Sequence, residues 1–501
     1  MAVLIFAEGK NTMIFNEETI QGLFGNEAAE NETPARLKEY YVKSAVYEQV
    51  ASSNPLRILV GHKGIGKSAL FKIAISEDAD RGDLTIFIRP DDIVSIAAQE
   101  KPILELIRDW KTGLLGLLAE KAYQAFGVSP GNQHADIRSW GTRVLEFLTN
   151  SVKLKSAEIS LNPAKKALLD HFLKRGLVFI YIDDLDRGWE GKIHDIRRIS
   201  ALLNAVRDLA SDNDGLKFRI SLRSDVFFLV RTSDESTDKI EGSVIWHSWT
   251  NHEILVLLVK RIETFKGRSF DEREGVHYGQ QYLSGFLDGI FESRFNGSGL
   301  WDNAPMYRVL MSVIRKRPRD LVKLCTAAAR QAAADRSQVI ATNHLKAVFD
   351  DYSQGRLQDT VNEYRTELPD IQRLLLSMRP TKREKLEGDG YKLTTNALLA
   401  KIEKALQTGA FRFANGRNAT RQDLAGFLYK INFLTARKEL PNGLISRRYF
   451  EENRYLAQQF ADFGFDWEIH PAYRWALQPD DLSSIYHVVR LSDIEEPSVN
   501  K

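Results

Sequence analysis

The sequence predicts an α/β protein built on a doubly wound parallel sheet, followed by a helical region and a mixed α+β module. Three observations carry this. Short apolar runs at Leu56–Val60, Leu84–Arg89, Leu177–Ile182, Lys217–Leu222 and Ser243–Trp246 alternate with helical patterns. The run Leu177-Val-Phe-Ile-Tyr-Ile182 is apolar without a break, which suits a strand covered on both faces. From Asn251 onward the pattern is mostly helical, and after residue 376 short helices mix with aromatic strand-like pieces.

Taken in order, residues 1–45 read as a lead-in, with an acidic stretch Glu27–Pro34 and the start of a helix at Leu37–Val42. The α/β core is expected over 46–265, with a helical insertion near 93–175. Trp140, Val144, Leu145 and Leu148 place one helix of that insertion near Ile137–Val152. A helix is expected from Lys67 to Ser76, another over 191–210, and another from Asp320 to Ala334. Residues 266–375 form the helical region. In 376–501, Leu424–Leu434 followed by Trp467–Trp475 suggests a compact winged-helix-like module.

A chain of 501 residues, 43% hydrophobic and 27% charged, holds material for about three domains and excludes a wholly disordered protein. Lys plus Arg number 69 against 67 for Asp plus Glu, which excludes a histone-like basic protein and an acidic tail protein. The lone Cys325 excludes a disulfide framework within one chain and a Cys-rich zinc site. No run reaches the roughly 18–20 apolar residues that a spanning helix needs. Met1–Ala7 lacks the basic start of a signal peptide. The expectation is a cytoplasmic protein with no membrane partner.

Gly61-His-Lys-Gly-Ile-Gly-Lys-Ser68 matches G-x-x-x-x-G-K-[ST] without deviation, after an apolar strand and before a helical pattern. About 0.02 chance occurrences are expected in a chain of this length. Glycines let the loop wrap and aim backbone N–H groups at phosphates, and the helix adds its positive N-terminal end. The phosphate contacts are therefore assigned to Gly61, His62, Lys63, Gly64, Ile65, Gly66, Lys67, Ser68 and Ala69. Lys67 reaches the β- and γ-phosphates, and Ser68 ligates Mg²⁺.

The strand Val178–Ile182 ends in Asp183-Asp184-Leu185-Asp186-Arg187. Carboxylates beside a metal can hold its shell and activate water. Asp183 at the strand end is read as the metal ligand and Asp184 as the base that orients and deprotonates the attacking water. Asp186 and Arg187 are open to a local ion pair.

Here the chain resembles the KAP-type P-loop ATPases, relatives of the STAND and AAA+ enzymes. The resemblance rests on Ile182-Asp-Asp-Leu-Asp-Arg187 and continues through Ile220–Val226, which looks like a sensor strand. Trp249–Leu255 and Lys260-Arg-Ile262 look like the start of a helical lid, and Arg317-Pro-Arg-Asp-Leu321 is similar to a second sensor on it. It spans residues 45–335 and implies an ATPase of bacterial, defence-associated type. Two departures stand out. The membrane helices that many KAP proteins insert between the two nucleotide motifs are missing. The second acid is Asp, where most AAA+ enzymes have Glu.

Arg223 follows a buried strand whose end faces the ligand crevice, so it reads either as a γ-phosphate sensor or as a structural arginine paired with Asp225. Arg319 reads either as a lid arginine reaching the phosphates or as part of a solvated basic face, Arg315-Lys-Arg-Pro-Arg319. Either arginine could serve a neighbouring subunit's nucleotide. Basic clusters at Arg379–Lys385 and Arg437-Lys438 read as solvated surface, and His470 before Pro471 as structural. No second catalytic motif is recognisable.

The expected function is a Mg²⁺-dependent ATP hydrolase acting as a conformational switch or assembly platform, with ATP favoured over GTP by the family resemblance and because no N-K-x-D motif occurs. The expected partners are other copies of the chain and a separate effector or sensor protein. A DNA-binding loader or initiator, and a slow ATP-binding scaffold, are the alternatives.

Overall fold

The computed structural model describes residues 13–126, 171–172, 174–233, 235–388, 390–439, 445–458, 464–478 and 482–492. The helix expected near Ile137–Val152 lies outside them. The chain divides into two compact units, one of residues 43–247 and one combining 1–42 with 248–501.

The first unit is built on five parallel strands: β1 Leu56–Val60, β2 Leu84–Ile88, β3 Val178–Ile182, β4 Leu216–Leu222 and β5 Val244–Trp246. Their order is β2-β3-β4-β1-β5, so β4 separates the strand before the phosphate loop from the strand before the acidic run. All five residues of β3 are buried, as its unbroken apolar run demands. Helix α1, Lys67–Asp80, follows β1; α2 is Ile103–Phe126, α3 is Ile193–Asp212 and α4 is Ser224–Ser233. Ile199, Leu202, Leu203, Val206 and Leu209 give α3 a buried face, and α2 packs along that helix. Arg198 lays its guanidinium over the Trp110 ring and donates to the carbonyls of Ile93, Val94 and Ile96. The sheet is thereby covered by helices and forms a doubly wound α/β core.

The second unit is mostly helical in its first part. Helix α5, Asn251–Phe265, opens with a capping box between Thr250 and Glu253. It carries Lys260 and Arg261 to the lead-in segment, where they bond to the carbonyls of Tyr41 and Phe24. Helices α6, Pro318–Ala334, and α7, Thr342–Tyr364, pair around a buried ionic knot. Arg315 makes a bidentate contact with Asp320, and Arg356 reaches the same carboxylate at 2.7 Å. Arg317 is buried as well, 3.7 Å from Glu363. The run Arg315–Arg319 is thus not a solvated basic face: two of its arginines hold the helices together.

The C-terminal part combines α8, Thr395–Gln407, and α9, Arg421–Lys430, with a four-stranded antiparallel sheet. Its strands are β8 Lys392–Leu393, β9 Leu434–Glu439, β10 Ile445–Arg448 and β11 Asp466–Ile469, in the order β10-β9-β11-β8. (A separate two-stranded ribbon, β6 Arg294–Asn296 with β7 Asp302–Pro305, precedes α6.) Leu434, Ala436, Trp467 and Ile469 alternate with Arg437 and Glu468, which gives the sheet one apolar and one charged side. Arg437, expected on the surface, is buried beside Glu468 together with Arg447 and Arg474.

Burial alone would raise the Glu468 carboxyl, but Arg447, Arg474 and Arg437 override it and hold it at about 2. A depressed acid stabilises the fold above its unfolded pKa and loses that contribution as pH falls toward the folded one. Urea titrations between pH 5 and pH 2 should therefore show a loss of about 3 kcal/mol that Glu468→Gln removes. His470 is structural, as expected. It is buried, pairs with the Tyr449 hydroxyl at 2.9 Å and accepts from Ala472 N.

Candidate nucleotide site

Parallel strands bring their C-terminal ends to one edge of the sheet, and that edge is where the first unit collects its chemistry. The ladder continues just past the strands. Gly61 N donates to Leu222 O at 3.1 Å, and His247 N donates to Val60 O at 2.7 Å. Four segments therefore meet there: the loop 61–66, the acidic run after β3, Arg223 after β4 and His247 after β5.

The loop takes the shape its glycines permit. Gly64 and Gly66 have φ of 79° and 108°, values an L side chain resists, and Gly66 starts α1. A Cβ on Gly61 would lie 3.0 Å from Ile65 Cγ2 and 3.1 Å from His247 O, so a side chain here would have to push these neighbours back by a few tenths of an ångström. Ile65 is buried and anchors the loop, whereas Lys63 is exposed. Lys67 Nζ folds over the loop and donates to Gly61 O at 2.8 Å and His62 O at 3.2 Å. Ser68 and Ala69 lie half-buried on the first turn of α1. His62 is buried with Nδ1 3.0 Å from Ser224 Oγ.

His247, which no sequence motif marks, packs against the loop at Gly61 and Gly66. Burial, reinforced by nearby Lys67, pushes its pKa down to about 3. The imidazole is therefore neutral at physiological pH and adds no charge to the site.

Asp183 is 7% exposed at the end of β3. Its Oδ1 accepts from Asp184 N at 2.9 Å and from the Ser221 hydroxyl on β4. Asp184 is exposed and has φ 60°, unusual for a side chain other than Gly or Asn. The following turn sends Asp186 and Arg187 apart. Arg187 lies 3.8 Å from Asp91, and both are exposed, while Asp186 lies 3.6 Å from Arg223. Arg223 is also held by Asp225 through two bonds, of 3.0 and 2.6 Å. Burial pushes the Asp186 carboxyl up, against the pull of Arg223 and Lys67. Arg319 belongs to the second unit, on the first turn of α6, where its Nε donates to Glu27 O at 3.2 Å.

The donor set suits Mg²⁺, which takes one or two protein oxygens and completes its shell with water and phosphate oxygens. Ser68 and Asp183 supply a hydroxyl and a carboxylate of that kind. Four carboxylates (Asp183, Asp184, Asp186 and Asp225) and two cations, Lys67 and Arg223, lie at this end of the sheet. Such a site disfavours a bare triphosphate and favours one whose charge a divalent cation offsets.

Sheet, loop and acidic strand end give the first unit the fold of a P-loop NTPase core. A family model described as "FunZ-associated C-terminal helical domain" matches residues 291–361, in the second unit. The chain is 24% identical over 421 residues to the "Putative transposon gamma-delta 80.3 kDa protein" of Escherichia coli. That match covers 77% of this chain and 56% of the relative, so the chain spans little more than half of the relative's length. Among solved structures it is similar to the Walker-type ATPase of Pyrococcus abyssi, at 15% identity and a TM-score of 0.38, over 95% of this chain and 100% of that one. It is also similar to the Aeropyrum pernix ORC2 protein, at 11% identity and a TM-score of 0.42, over 95% and 97% of the two chains. Among the described residues no helix is long and apolar enough to cross a membrane.

Proposed function

We propose that the chain is a Mg²⁺-dependent ATP hydrolase that works as a conformational switch. The observation that carries this is the convergence, on one sheet edge, of Lys67 on its loop, Asp183 at the β3 end and Asp184 beside it. Lys67 exchanges its two loop carbonyls for phosphate oxygens. Ser68 and Asp183 hold the metal, which supplies charge neutralisation at the transferred phosphoryl group. Ser221 fixes the Asp183 carboxylate, and Asp184 takes the proton of the attacking water. Residues 266–375 act as the lid that carries Arg319, and 376–501 as the module that responds. Other copies of the chain, and a separate effector or sensor protein, are the partners this reading calls for. A defence setting follows from the KAP resemblance, and a mobile-element setting from the transposon relative.

Steady-state phosphate release from ATP by the purified chain, with Mg²⁺ or with EDTA, tests the reading. Turnover that requires Mg²⁺ supports it, and no turnover in either condition rejects autonomous hydrolysis. Adding duplex DNA separates the loader alternative. Strong, salt-sensitive stimulation would favour the loader, whereas the switch predicts none.

A further inference from the structure

The acidic run contains one carboxylate to which the mechanism above gives no task. Asp186 sits on a turn closed by Arg187 N to Asp184 O at 2.9 Å and Trp189 N to Asp186 O at 3.0 Å. The turn folds Asp186 back to the end of β4, where its Oδ2 lies 3.6 Å from the NH1 group of Arg223. The other edge of the same guanidinium is clamped by Asp225. Nε donates to Oδ1 at 3.0 Å and NH2 to Oδ2 at 2.6 Å. The side chains of Arg223, Asp186 and Asp225 are 11%, 18% and 2% exposed, so the trio is shielded from solvent.

The two carboxylates hold Arg223 unequally. The fork to Asp225 is at hydrogen-bond length on both prongs and fixes the plane of the guanidinium. The Asp186 contact exceeds hydrogen-bond range and acts by charge alone. An arriving anion would therefore displace Asp186 rather than Asp225. Lys67 also pulls on the Asp186 carboxyl by charge.

We propose that Asp225 positions Arg223, and that Asp186 occupies the place beside its NH1 edge that an oxygen of a terminal phosphate takes when a nucleoside triphosphate binds. The proposal rests on the nucleotide reading of the site and adds a regulatory element to it. A triphosphate must expel Asp186 from the arginine, whereas a diphosphate leaves the pair in place. Asp186 is thus a positioning residue that opposes the triphosphate state and favours its reversal after hydrolysis.

The test is equilibrium binding of the Mg²⁺ complexes of ADP and of a non-hydrolysable ATP analogue to the full chain. It compares the wild type, Asp186→Asn, Asp225→Asn, Arg223→Gln and the double variant Asp186→Asn with Arg223→Gln. Asp186→Asn should tighten analogue binding about tenfold and leave ADP within about twofold. Asp225→Asn should weaken the analogue about tenfold, because the guanidinium loses its orientation. In the Arg223→Gln background, Asp186→Asn should no longer change the ratio of the two affinities. A ratio unchanged by Asp186→Asn alone would overturn the proposal. So would a ratio that shifts equally with and without Arg223, since that is plain charge repulsion. A wild-type chain that binds neither nucleotide would overturn the nucleotide reading itself and the exchange with it, and thermal melts of each variant separate this from misfolding.

Discussion

Lys67→Ala is expected to reduce phosphate release from ATP by about 10²–10³-fold while leaving the unfolding midpoint within a few degrees of wild type. The loop shape does not depend on this side chain. It is set by the left-handed backbone at Gly64 and Gly66, by buried Ile65 and by His247 packed against it. Lys67 bridges the Gly61 and His62 carbonyls, at 2.8 and 3.2 Å. Removing it takes away a cation, and nothing else at the loop replaces it: His247 is held neutral and Lys63 points to solvent. Lys67→Arg should recover little, because a planar five-donor fork cannot reproduce a compact ammonium between two carbonyls. Single-turnover phosphate release and circular-dichroism melts on the same preparations check both halves. Turnover equal to wild type would remove the phosphate loop from the chemistry, and a large fall in midpoint would mean that the lysine is structural.

The parts of this site that were legible in the sequence are those whose chemistry is local. The phosphate loop needs consecutive residues, so its eight-residue pattern could be read directly, as could the apolar run of β3 that ends in acid. The boundaries moved little. The helix expected to stop at Ser76 runs to Asp80, and the strand expected to start at Lys217 starts at Leu216. What escaped is what the strand order decides. Ser221 touches Asp183 only because β4 lies beside β3, and His247 reaches the loop only because β5 lies beside β1. Asp186 and Arg187 are adjacent in sequence, yet a tight turn gives them different partners. Charge runs misled for a related reason. A run such as Arg315–Arg319 reads as solvated until its countercharges, Asp320 and Glu363, are placed by helix packing.

Asp184→Asn is expected to lower turnover by about 10²–10⁴-fold without weakening ATP binding, and so to trap the triphosphate state. The choice of asparagine matters. With φ at 60°, Asp184 occupies the left-handed region that Asn and Gly tolerate and that Ala resists. Asp184→Ala would mix loss of the carboxylate with backbone strain of about 1–2 kcal/mol, whereas Asp184→Asn alters only the acid. Asp184→Gly makes the separation sharper still. It should hold or raise the unfolding midpoint and yet be as inactive as the asparagine variant. The backbone N–H of residue 184, which bonds Asp183, is present in all of them, so the metal-side carboxylate keeps its anchor. Asp183→Asn should behave differently and lose the Mg²⁺ dependence of nucleotide binding as well as turnover. Rapid-quench turnover beside nucleotide affinity distinguishes the two acids. An Asp184→Asn chain that hydrolyses ATP within a few-fold of wild type would assign the base elsewhere. If wild-type turnover were itself negligible, the chain would be a slow ATP-binding scaffold.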